Sequence, residues 1–148
     1  MKIYLDNCCF NRPFDDQSQI RIRLESEAKF YIQEKIRNGK LQLVWSYIMD
    51  LEINKNPFDD RRNSIIDWKK YALVDTTENE KILEIAESLS KLNIHNLDSL
   101  HLACAIYSDC NYFITTDDDI IKRYSYEGKL KVIDPIKFIK IMEKLNEN

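Results

Sequence analysis

The chain has 148 residues, 44% apolar and 32% charged, with only two glycines and three prolines. That balance excludes a disordered or low-complexity chain and suits one helix-rich globular domain, 1–148, large enough to enclose a core. A net charge of −3 argues against a broad basic face for nucleic acid unless bound cations reverse the local field, and no apolar run reaches membrane-spanning length, so a cytoplasmic protein without membrane contact is expected.

In chain order, residues 2–5 form the first predicted strand, ending at Asp6. Residues 7–16 are expected to be a polar loop broken at Pro13. Over 17–38 the apolar positions Ile20, Leu24, Ala28, Tyr31, Ile32 and Ile36 recur at helical spacing, and Asn38-Gly39 closes that helix. Residues 41–45 make a second strand, and Ser46 is a natural N-cap for a helix over 47–55. Pro57, Asp59 and Asp60 break and restart the chain into a helix near 60–70, followed by a third strand at 71–74. Thr77 and Glu80 have capping-box spacing, opening a helix with Ile82, Leu83, Ile85, Ala86 and Leu89 on its core face. Residues 93–96 turn the chain into a helix over 97–109. A fourth strand at 112–115, a short helix near 118–124 and a fifth strand at 131–133 follow, and Asp134 caps a last helix with Pro135 at its first position.

Short β-branched runs alternating with helices predict an α/β fold of parallel strands, joined by right-handed crossovers, with helices on both faces. Ligands of such sheets bind beyond the carboxyl ends of the strands, where the strand order reverses. Asp6 and Asp117 stand at two of those ends.

They have company. Glu52 lies on the helix after the second strand, Asp98 in the first turn of a later helix, and Asp119 just behind Asp117. Acids gathered at one sheet edge repel one another unless a divalent cation compensates them. Hard oxygen donors without soft ones select Mg²⁺ or Mn²⁺, and a metal-activated water suits phosphodiester hydrolysis. Plainer readings stand beside this one. Asp117, Asp118 and Asp119 also fit a solvated helix start, capped by Thr116 or Asp117; Asp98 fits a first-turn acid, Asp6 a turn cap, and Asp50 rivals Glu52 on the same helix.

Other chemistries find less support. No Gly-rich phosphate loop and no EF-hand pattern is present. Cys8, Cys9, Cys104 and Cys110 form no C-x-x-C pair and read as small buried hydrophobes, and His101 with Cys104 lacks a second ligand pair for zinc. Cys8 near Asp6 is a weak nucleophile candidate. His101, one turn beyond Asp98, reads as a core residue or as one that orients a ligand. Arg12 fits either a substrate phosphate or a surface salt bridge, and Tyr47 and Phe14 fit core packing better than base stacking.

Four pieces, in order, resemble the PIN-domain family, which includes toxin-type ribonucleases: Ile3-Tyr4-Leu5-Asp6; Ser46 through Glu52; Leu97-Asp98 through Ala103; and Tyr112-Phe113-Ile114-Thr115-Thr116-Asp117. The resemblance spans the chain. It implies a three-layer α/β/α sandwich with a mainly parallel, roughly five-stranded sheet. It also implies metal-dependent endoribonuclease activity that leaves a 5′-phosphate and a 3′-hydroxyl. Position by position, it makes Asp6, Glu52, Asp98 and Asp117 catalytic metal-binding acids, with Asp119 as a further acid and Thr116 as a supporting hydroxyl. Asn7 replaces the Thr or Ser common after the first Asp, and its amide can still orient Asp6. The implied substrate is RNA, and an antitoxin protein and a homodimer are the implied partners. A PIN fold that binds RNA or protein without cutting is the alternative, and a DNA-directed nuclease a third.

Overall fold

The computed structural model describes residues 1–147. Its five strands are β1 (Lys2–Leu5), β2 (Gln42–Ser46), β3 (Ala72–Thr76), β4 (Tyr112–Ile114) and β5 (Lys131–Ile133). They form one all-parallel sheet in the order β3-β2-β1-β4-β5. β1 is central, and strand order reverses between it and β4. The helices are α1 (Asn7–Asn11), α2 (Ile20–Arg37), α3 (Tyr47–Asn54), α4 (Asp59–Ile66), α5 (Glu80–Ser90), α6 (Asn96–Tyr107), α7 (Asp118–Arg123) and α8 (Pro135–Glu147). Right-handed crossovers set α1 to α4 over one face and α5 to α7 over the other. The packing agrees, since α1 contacts α2, α3 and α4, and α5 lies against α6; α8 joins the first group by packing on α2. No helix among the described residues is long and apolar enough to cross a membrane.

Being covered on both faces, the central strands are apolar at successive positions rather than at alternate ones. Ile3, Tyr4, Leu5, Leu43, Val44, Trp45, Phe113 and Ile114 are all buried. Tyr4 stacks on Phe113 with centroids 5.2 Å apart, and Phe10 meets Trp45 edge-on at 5.9 Å.

Four expectations change. Residues 7–16 are not a loop: α1 starts under Asp6 as N-cap and buries Cys9 and Phe10, and Pro13 lies in a 3₁₀ turn (Arg12–Phe14). Apolar burial outweighs the polar composition there. The helix near 60–70 divides into α4 and a 3₁₀ turn, Asp67–Tyr71. The cap of α5 is Asn79, whose Oδ1 accepts from the Ile82 N–H at 3.0 Å, because β3 runs on to Thr76 and leaves Thr77 outside the helix. Leu83 is accordingly 44% exposed, while Ile82, Ile85, Ala86 and Leu89 face the core. On α2, Ile20 and Leu24 are exposed, and the buried face carries Glu25, Ser26, Lys29 and Gln33 beside Ala28, Ile32 and Ile36.

Candidate metal centre

Leu5 pairs in register with Ile114, so the residues that follow, Asp6 and Thr115, emerge side by side at the carboxyl ends of the two central strands. The Thr115 hydroxyl donates to Asp6 Oδ2 at 2.8 Å, and the Asn7 N–H donates to Asp6 Oδ1 at 2.8 Å. Asp6 is only 4% exposed. Burial raises its carboxyl above the usual range, against the opposing pull of His101 and the Thr115 hydrogen bond.

Glu52 comes from α3, whose first turn is set by Ser46 Oγ accepting from the Met49 N–H at 3.2 Å. Its Oε1 lies 2.7 Å from His101 Nε2, and its Oε2 accepts from Asn7 Nδ2 at 2.7 Å. Burial pushes the Glu52 carboxyl up, but those two neighbours prevail and hold it below its ordinary value. Behind it, His101 Nδ1 meets Tyr4 Oη at 2.5 Å, and Tyr4 Oη meets Ser46 Oγ at 2.6 Å. These three residues are fully buried, so Glu52 is backed by a continuous polar chain through the core. One ligand-capable atom each from Asp6, Glu52 and His101 lies within 4.8 Å of the other two.

Asp98, Asp117 and Asp119 line an adjoining cavity of about 130 Å³. The Asp98 carboxyl is pushed up to about 6, first by burial and then by Asp6, with Asp117 and Glu52 adding to the rise and His101 opposing it. Asp117 also caps α7, its Oδ1 accepting from the N–H groups of Asp119 at 2.9 Å and Ile120 at 3.4 Å. Helix cap and site acid are therefore the same residue. Asp118 turns away, held by both Nη atoms of Arg21 at 2.7 Å.

Several placements differ from expectation. The hydroxyl that reaches Asp6 is Thr115, not Thr116, because the β1–β4 register puts Thr115 beside it; Thr116 meets its surroundings through its main chain, with its N–H on Cys8 Sγ and its carbonyl on Arg21. The Asn7 side chain goes to Glu52 and leaves Asp6 to the main chain, since α1 begins at Asn7 and swings its amide toward α3. Arg12 is bound to Asp15 at 2.9 Å and Glu25 at 3.1 Å. Asp50 is engaged elsewhere, by Trp45 Nε1 and Lys69. Of the four free cysteines only Cys8 is not buried, and its Sγ lies 3.4 Å from Asp6 Oδ2. Phe14 is exposed, beside the guanidinium of Arg61. Tyr4, Ser46 and Thr115 went unread as site residues. Only Thr115 had a usable signal, its place directly after a strand that neighbours β1.

No family model and no curated protein matches this sequence. Solved structures do. VapBC2 from Rickettsia felis, bound to a DNA fragment from its promoter, superposes with a TM-score of 0.56 at 15% identity, over 89% of this chain and 97% of that one. FitAcB from Neisseria gonorrhoeae gives a TM-score of 0.54 at 15% identity, over 90% and 97%. At that identity the likeness is one of fold.

Proposed function

We propose that this chain is a PIN-type endoribonuclease dependent on Mg²⁺ or Mn²⁺, with Asp6, Glu52, Asp98 and Asp117 as ligands of the ion and Asp119 as an auxiliary acid. The observation that carries this reading is the gathering of acids: Asp6 and Glu52 with ligand atoms within 4.8 Å of each other, beside a cavity lined by Asp98, Asp117 and Asp119, where burial and the neighbouring acids push Asp98 up to about 6. Mutual repulsion of that kind is relieved by a cation. The donor set suits a hard ion: both ring nitrogens of His101 are engaged, by Glu52 and Tyr4, which leaves carboxylate oxygens as the open donors. When bound, such an ion supplies an activated water and positive charge against a scissile phosphate.

The chain's own residues do the positioning. Thr115 and the Asn7 N–H hold Asp6 by both oxygens, and His101 and Asn7 hold Glu52 the same way. Neither carboxylate is free to swing, which limits the rearrangement needed on binding. The PIN resemblance extends the proposal to a cytoplasmic toxin acting on RNA, with an antitoxin protein and a second copy of itself as partners; the fold shared with VapBC2 and FitAcB supports it.

The test is Mn²⁺-supported degradation of single-stranded RNA by Asp6→Asn and Asp98→Asn variants of retained fold. Loss of cleavage in both, with 5′-phosphate products from the wild type, is the expected result. Full activity in both overturns the assignment, and ion binding without any cleavage by the wild type favours a silent binding module.

A further inference from the structure

Beside the acidic cavity, and sharing Asp117 and Asp119 with it, lies a cleft of about 480 Å³ lined also by Arg12, Arg21, Glu25 and Thr116. Arg21 dominates it. Nη1 and Nη2 each donate to one oxygen of Asp118 at 2.7 Å, and Nε stands 3.6 Å from Glu25 Oε2. The two acids hold it differently. Glu25 is 1% exposed and also anchors Arg12, whereas Asp118 and Arg21 are 69% and 52% exposed. We propose that Arg21 is a phosphate clamp for the RNA strand entering the acidic site, and that Asp118 occupies its fork until a phosphodiester displaces it.

Three physical points support this. A guanidinium fork that fits two carboxylate oxygens fits two phosphate oxygens equally well. The pair to be broken is bidentate but exposed on both sides, so salt screens it, and a phosphodiester replaces the same two contacts like for like. Two neighbours of the guanidinium do not depend on Asp118: the buried carboxylate of Glu25, tied to Arg12 and 3.6 Å from Nε, and the Thr116 carbonyl, 3.4 Å from Nη2. The cleft that holds Arg21 shares Asp117 and Asp119 with the acidic cavity, so a strand seated at the acids runs past the clamp. Arg12 is the weaker candidate, because its Nε and Nη1 are already committed to Glu25 and Asp15.

The proposal rests on the RNA reading of the site, and binding and cleavage are therefore measured separately. Anisotropy of a labelled single-stranded RNA dodecamer in Ca²⁺, which takes oxygen ligands, is read for wild type, Arg21→Ala, Arg21→Lys, Asp118→Asn and the double variant Arg21→Ala/Asp118→Asn. Arg21→Ala weakens binding by about 10-fold and flattens the slope of log affinity against log salt by about 0.7, the loss of one phosphate contact on a single strand. Arg21→Lys, which keeps the charge without the fork, falls between. Asp118→Asn tightens binding about 3-fold, and the double variant loses that gain, since the gain acts through Arg21. Equal tightening by Asp118→Asn with or without Arg21 reduces the effect to general charge and overturns the clamp. So does unchanged affinity in all variants. If the wild type cleaves RNA in Mn²⁺ and no variant changes its KM, the clamp fails and the nuclease stands; if RNA binding follows the expected pattern without cleavage, the clamp stands and the nuclease fails.

Discussion

Burial first, then Asp6, with Asp117 and Glu52 adding to the rise, pushes the Asp98 carboxyl up to about 6, while Glu52, held by His101 and Asn7, lies below its ordinary value. The sign of the consequence follows from proton counting. Between about pH 4 and 6 the folded protein binds more protons at Asp98 than the unfolded chain does, so its contribution to stability falls as pH rises through that window and stays low above it. In the ion-free protein, Asp98→Asn is expected to raise unfolding stability at pH 7 by about 1–2 kcal/mol, after discounting for solvent screening, and to change little near pH 4. Chemical denaturation in a chelator at both pH values measures it; a variant destabilised at pH 7 contradicts the proposed repulsion.

At the scale of elements, caps decide where functional side chains point. Ser46 starts α3 so that Glu52, near its end, turns toward α6 and His101. Asp117 caps α7 and in doing so separates Asp119, on the cavity side, from Asp118, on the α2 side. α5 offers a clean test of cap assignment. Asn79→Ala removes the acceptor for the Ile82 N–H and is expected to cost about 1 kcal/mol, whereas Thr77→Ala, outside the helix, costs close to nothing. Urea midpoints of the two variants distinguish this from a capping box at Thr77, for which the order reverses.

Across the whole molecule, the site exists because the strand order reverses between the parallel neighbours β1 and β4, which leaves a crevice at their carboxyl ends that helices α3, α6 and α7 then surround. The proposed ligation would tie β1, α3, α6 and the end of β4 to a common centre. An ion that binds only the folded state raises the stability of the entire cooperative unit, by about 2.7 kcal/mol at a concentration 100 times its Kd. Mn²⁺ titration should therefore raise the melting temperature of the wild type with a dependence that follows its binding curve, and Asp6→Asn should abolish that rise. A melting temperature indifferent to Mn²⁺ removes the ion from the proposal.

The alternation of strands and helices, the sheet's parallel sense and the strand-end positions of Asp6 and Asp117 were legible in the sequence, because each depends on local pattern: short β-branched runs, turn residues and helical spacing. The tertiary structure alone decided which atoms meet. Asn7 reaches Glu52 across 45 positions and Thr115 reaches Asp6 across 109, while Asp118 is drawn off by an arginine 97 residues earlier. No local pattern specifies such a partner. A carboxylate's direction is set by whichever donors the completed sheet brings within hydrogen-bond reach, and those donors are assembled only when distant strands fall into register.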